Sequence, residues 1–482
     1  MLKRLLLLIT AVASIGVVSV SGVDGAAAQA ATPFDSPTTF CTPSTAPAGP
    51  RNSSTPGVTP GSITIADQSL DTVALKRVVG RDSPPYHAFY QALWDEVNRC
   101  GGINGRKVIL KNVPYNALAV DQAGHQQAQC LRIAEDVKAL LVSGITSNAT
   151  ARCTSILHKT IQLAPQAAGV TARDFTDSAG RILSVYPAAD RLSGAFIDDG
   201  IAEGAFKNRK VGVLGSATLA TVAGDLQRQY VDVFKAKGVD ATLEVLPCTG
   251  TNCTAGIGNA IRRFKAAEID VLVLSQFMTS QNVGQVIREM RTQGLNVRIT
   301  GPYNGSVMAD VTLSTTASAA GSDGLAFANR IGWTAVGPEL VGQWRDGRIK
   351  ETPFSRMCLN LLAKATGIAP IQYAEGSIIT AYWGAGTNIC AEVRAVARAI
   401  YSLGNNVTTA RVAKALAVVK LDRKDTGPIP NEKAFFSGTD VSPDRVTTLR
   451  YNFPCPLPKP SISTSGCFMP VDLPPRYRTV RG

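Results

Sequence analysis

The residues best placed to do chemistry in this chain are small hydroxyls set just past apolar runs. Ser143-Gly144-Ile145-Thr146-Ser147-Asn148-Ala149-Thr150 follows the apolar stretch ending at Val142 and leads into a helical pattern. Small hydroxyl residues at a helix N-terminus suit a carboxylate or a similar polar oxygen head, because the unsatisfied N–H groups there favour negative charge. Ordinary N-capping by Ser147 or Thr150 uses the same residues and stays open as an alternative. Groups that could make or break bonds are scarce. His87, His125 and His158 are the chain's histidines, and no spacing among them suggests a metal site or a catalytic triad. Gly212-Val213-Leu214-Gly215-Ser216 is not a nucleophile elbow. Thr254-Ala255-Gly256-Ile257-Gly258-Asn259 lacks the third glycine of a dinucleotide fingerprint, and there is no Walker or H-E-x-x-H pattern. The expectation is a binding protein without cofactor, metal or catalytic residues; a secreted enzyme of unfamiliar type is the alternative from another class.

The elements that would position such a site alternate. Ile63-Thr64-Ile65-Ala66 reads as a strand, and Phe89, Leu93, Trp94 and Val97 repeat at helical spacing up to Gly101-Gly102. Lys107-Val108-Ile109-Leu110 is a strand, Gln127 to Leu140 a helix, and Ala139-Leu140-Leu141-Val142 leads into a third strand. The alternation returns with strands at 210–214, 242–245 and 270–274 and helices at 225–236, 257–267 and 282–292. Helical stretches at 375–403 and 409–419 follow. Two such series predict an α/β protein of two doubly wound, open parallel-sheet lobes. Ligands of open α/β sheets sit at the carboxyl ends of the strands. That rule points to the loops after Ile65, Val142 and Ile161-Gln162-Leu163. On such cleft loops the candidate contacts are Ser69, Ser83 and Tyr86 in the first lobe and Gln276 in the second.

Composition bounds the setting. Lys3-Arg4, an apolar run from Leu5 to about Val20 and Ala28-Gln29-Ala30 together read as a secretory signal over residues 1–30, cleaved after Ala30. Ser14, Ser19, Ser21 and Asp24 interrupt the run, against a retained membrane anchor. Thr38-Thr39-Phe40 before Cys41 is not the small-residue context of a lipid-modified cysteine. The expected location is therefore extracellular or cell-envelope, without a lipid anchor. Ten cysteines in an exported chain predict disulfides. Cys248 and Cys253 flank a tight loop, and a metal site there would lack a second cysteine pair or histidine. Cys130 with Cys153, Cys358 with Cys390, and Cys455 with Cys467 are further candidate pairs. The net charge of +13 comes from scattered basic residues without an aromatic-interleaved stripe, so no nucleic-acid partner is expected. Residues 31–60, rich in Pro, Ser, Thr and Gly, read as a flexible segment without a core, and residues 452–482 as an irregular Pro-rich tail.

The run Trp94 to Val108, with Asn98 followed by Gly101-Gly102-Ile103-Asn104-Gly105-Arg106, resembles the first-helix signature of the leucine/isoleucine/valine-binding protein family. These are substrate-binding subunits of ABC importers with the type I periplasmic-binding-protein fold. Lys237-Gly238-Val239, Lys265 to Leu272, Arg288 to Leu295 and Phe435-Phe436-Ser437-Gly438 extend the resemblance over roughly residues 60–450. It implies two lobes joined by three crossovers, near residues 184–187, 325–327 and 403–404. The lobes would then comprise residues 61–185 with 325–403, and 186–324 with 404–451. It implies a mainly monomeric protein that closes on a small organic ligand and delivers it to an ABC permease. A ligand sensor of the same fold is the alternative. In the family, the ligand carboxylate is held by loops that fall here on Ser147 and Asn148 and on Ala168 to Thr171. Where the family offers a second-lobe aromatic residue this chain has Ala223, and where amino-acid binders place an acid it has Asn304. A zwitterionic amino acid needs an anionic partner for its ammonium. The predicted ligand thus carries a carboxylate or amide head and no α-ammonium, unless Asp71, Asp82 or Asp225 reaches the cleft.

Overall fold

Two parallel sheets organise this chain, with strands such as Val211–Ser216 and Val271–Leu274 buried on both faces and more exposed strands at an edge of each sheet. The computed structural model describes residues 32–79, 85–116, 119, 121–144, 147–164, 169–185, 187–217, 220–247, 253–302, 310–337, 352–367, 379–419, 445–456, 466–472 and 478–479. The expected signal segment, Ser83, Ala168, Cys248 and Asn304 lie outside the described residues.

The first sheet contains β1 (Ser62–Gln68), β2 (Lys107–Asn112), β3 (Leu141–Gly144), β4 (Ile161–Ala164) and β5 (Ile182–Ser184). Its order is β2-β1-β3-β4-β5, parallel throughout. The second contains β6 (Val211–Ser216), β7 (Ala241–Leu246), β8 (Val271–Leu274) and β9 (Arg298–Thr300) in the order β7-β6-β8-β9, again parallel. The helix Tyr86–Arg99 buries Phe89, Tyr90, Leu93, Trp94 and Val97 against the first sheet, the stripe its spacing requires.

The glycine-rich motif after that helix is structural. Gly102 takes φ +75°, and a Cβ there would run into the Arg106 carbonyl. Asn98 bridges to the backbone of Val108 through both side-chain atoms, at 2.7 and 2.9 Å. Asn104 Nδ2 donates to the Tyr401 and Gly404 carbonyls at 3.0 and 3.1 Å, closing the end of the helix Ile379–Tyr401. Arg106, fully buried, donates to carbonyls of Thr59 and Asn405 at 3.0 and 2.8 Å.

Three expectations change. The 31–60 segment is not without a core: Phe34, Phe40, Cys41 and Val58 are buried in the first lobe. Cys41 is bonded to Cys100, and Arg394 stacks over Phe40 and Phe354 while donating to the Thr39 carbonyl. The tail is not irregular either. β10 (Thr334–Gly337), β11 (Arg445–Asn452), β12 (Cys467–Pro470) and β13 (Arg478–Thr479) pair antiparallel. Trp333 packs on Tyr451 and Phe468 with ring centres 5.0 and 4.9 Å apart. A parallel bridge from Pro302 to Val336 continues the second sheet into this group.

The second and third crossovers move as well. Position 325 lies within the helix Asp310–Ile331, and Leu325, Phe327 and Trp333 belong to the second lobe's core. Phe354 and Cys358 of the helix Pro353–Thr366 belong to the first. The second crossing therefore falls between β10 and Pro353. Gly404 is a turn inside the first lobe, since Val407, Val412 and Leu416 are buried there; the third crossing falls between Val419 and β11. The first runs between β5 and the helix Ala189–Ala202, whose Leu192, Phe196 and Ile197 pack in the second lobe.

Four disulfides are described: Cys41–Cys100, Cys130–Cys153, Cys358–Cys390 and Cys455–Cys467. Cys253 is also disulfide-bonded. Among the described residues, no helix is long and apolar enough to cross a membrane.

Candidate functional site

In each sheet the strand order reverses direction once. From β1 the chain crosses to β2 on one side and then to β3 on the other. The two connections leave a crevice beyond the carboxyl ends of β1 and β3, where ligands of open α/β sheets bind. In the second lobe the equivalent crevice lies beyond β6 and β8.

At the first switch point stand Asp67 and Ser143, paired in register on neighbouring strands. Asp67 is fully buried. One of its oxygens lies 2.8 Å from His87 Nδ1, and the other accepts from the Ser69 hydroxyl. His87 sits in the first turn of the helix Tyr86–Arg99 with 39% of its side chain exposed. One turn on, the Tyr90 hydroxyl donates to Glu392 Oε1 at 3.1 Å across to the helix Ile379–Tyr401.

The environment separates these groups. The Asp67 carboxylate holds the His87 imidazolium and pushes its pKa up, against partial burial. Glu392 is pushed up to about 7 by burial, with hydrogen bonds from Ser143 and Tyr90 pulling the other way. Burial beside Glu392 lifts Tyr90 well above the ordinary tyrosine range. The cluster can donate hydrogen bonds and hold protons near neutral pH.

The residues expected to bind ligand fare differently. Ser69 donates to Asp67 here, and Tyr86 is the first residue of the helix that carries His87. Ser147 caps the helix Asn148–Arg152 through Thr150 N at 3.1 Å, the alternative that the sequence left open. Asn148 Nδ2 donates to the Gly169 carbonyl and to Asp174 at 2.6 and 2.9 Å. Thr171 forms a capping box with Asp174, which also meets Arg152 at 3.0 Å. These side chains tie the loops after β3 and β4 to each other. Gln276 faces inward, donating to the Ala189 carbonyl and Gln229 at 3.1 and 3.0 Å and accepting from Tyr230. Ala223 is half-buried in the helix Ala220–Leu226, packed in the same cluster as Phe277. Phe277, after β8, meets the other lobe: a side chain on Gly169 would overlap its ring. Asp71 caps Ala74 N at 3.0 Å, and Asp225 pairs with Arg228.

Asp67, His87 and Glu392 were not singled out from sequence. The available signal was Asp67 itself, a carboxylate ending an apolar strand at its carboxyl edge.

No protein-family profile matches the sequence, and no curated relative does. Solved structures do. A solute-binding protein of an ABC transporter from Rhodopseudomonas palustris HaA2, in complex with p-hydroxybenzoic acid, superposes with TM-score 0.57 at 12% identity, over 87% of this chain and 98% of that one. The fold is the type I periplasmic-binding-protein fold. A branched-chain amino acid ABC transporter structure from Thermus thermophilus with bound valine shares this fold at TM-score 0.55 and 13% identity, over 86% and 95% of the two chains. So does a fatty acid ABC transporter substrate-binding protein from Thermomonospora curvata, at 0.54 and 14%, over 89% and 95%.

Proposed function

We propose that this chain is an exported, non-enzymatic solute-binding protein that captures a small organic acid by lobe closure and delivers it to an ABC importer. The observation that carries the reading is a switch-point crevice in each of two lobes, with Phe277 of one lobe packed close to Gly169 of the other. Proteins of the same fold bind p-hydroxybenzoic acid or valine. The acid is favoured over the amino acid by the state of Asp67. Its oxygens are already engaged by His87 and Ser69, so a ligand ammonium would have to break that pair to be neutralised. Calorimetry against leucine, isoleucine and valine, beside their deaminated acids and 4-hydroxybenzoate, tests this. Acids are expected to bind and amino acids not to; tight binding of the amino acids alone would refute it.

A further inference from the structure

We propose that His87 reads the acid head of the ligand, donating from its outward Nε2 to an anionic oxygen, with buried Asp67 as its positioning residue. This rests on the reading of the protein as a catcher of organic acids and names the group that selects them. Asp67 has no exposure and holds His87 Nδ1 at 2.8 Å, while Ser69 occupies its second oxygen. The imidazole is thereby fixed by its inner nitrogen, which leaves the outer nitrogen to face away from the carboxylate. The His87 side chain is 39% exposed, beside Asp67 at the crevice between β1 and β3. The helix that carries it begins at the same place, behind Pro85 and without a side-chain cap. The positive end of its dipole is thus turned to the same space. A ligand anion there gains a charge-assisted hydrogen bond, about twice as strong as a neutral one. A neutral amide head gains no charge assistance and would show little dependence on the protonation of His87.

Binding should accordingly depend on pH with a definite sign. Asp67 raises the pKa of His87, so the cation persists to higher pH than in a free histidine and is lost as pH rises through that value. Affinity for an acid falls over the same window. Titratable groups also stand close by: Tyr90, one turn on from His87, feels Glu392 of the helix Ile379–Tyr401, Asp67 and Tyr86. Burial keeps Tyr90 neutral across this range. Glu392, about 7, gains negative charge as pH rises and weakens anion binding in the same direction, so it needs its own control.

The experiment is calorimetry of the whole chain with 4-hydroxybenzoate and octanoate as probes, at pH 5.5 and 8.5. The wild type is expected to bind about tenfold more weakly at the higher pH. His87→Gln should bind at both pH values near the weak limit, and Glu392→Gln should keep most of the pH dependence. Asp67→Asn retains the imidazole but removes its carboxylate, so the midpoint of the weakening should move to lower pH. If the wild type binds an acid and His87→Gln reproduces its pH profile, His87 is not the reader, although the acid reading stands. An unmoved midpoint in Asp67→Asn overturns the assignment of Asp67, and still applies if the glutamine variant does not fold. Binding of neither acid to the wild type overturns both readings.

Discussion

A carboxyl group enclosed by a tyrosine, a serine and apolar helix faces loses most of its hydration, and Glu392 responds by holding its proton to about pH 7. The unfolded chain releases that proton near the ordinary value of 4.5. Below 4.5 the group is protonated in both states and its contribution to folding is complete. As pH rises, the unfolded chain ionises first and stability falls. The loss levels off above 7, at about 3 kcal/mol. His87 adds a loss of the same sign at higher pH, because its pKa is also raised in the folded protein. Glu392→Gln keeps a hydrogen-bonding side chain but cannot ionise. Urea unfolding at pH 5 and pH 8 should therefore show a smaller drop in the variant than in the wild type, by about 3 kcal/mol. Equal drops would mean that Glu392 ionises without cost.

The elements were legible where a periodic pattern declared them and obscure where a partner distant in sequence supplied the packing. Helical spacing placed the helix Tyr86–Arg99, and alternation placed β1 and β2. Nothing local in the 31–60 segment announces that Phe34 and Phe40 fill a core, since their partners stand on the helix Ile379–Tyr401. Arg398 pairs with Asp35 across the same distance. The crossover misplaced at 325 had a similar cause: Leu325 and Phe327 look like a strand, yet they line a helix packed in the second lobe. The site divides the same way. Ser69 was visible as a hydroxyl past the first strand, whereas Asp67 and His87 meet across a separation of 20 residues, which no spacing rule connects. The lead segment provides a test at this scale. Cys41–Cys100 closes a separation of 59 residues, so Cys41→Ala with Cys100→Ala should cost about 4 kcal/mol through the freer unfolded chain. Chemical denaturation of that variant measures the cost. A change below about 1 kcal/mol would mean that the core contacts of Phe34 and Phe40 hold the segment without the bridge.

At the scale of the molecule, the chain passes between lobes three times, and each lobe is assembled from separated stretches of sequence. Closure on ligand is available to such a body because contacts from both lobes exist together only when they approach. Small-angle scattering with and without the acid that calorimetry selects should give a smaller radius of gyration when it is bound. An unchanged radius at saturation would argue for a rigid scaffold. The disulfides respect a different order from the lobes. Of the four described, each closes before the next opens: 41 with 100, 130 with 153, 358 with 390, 455 with 467. None interleaves with another, and none ties one lobe to the other. A chain released N-terminus first presents each of these cysteines with its proper partner as the next one to emerge. Oxidation in order of appearance then yields these native bridges directly, without an isomerase to undo wrong ones, and it leaves the two lobes free to move.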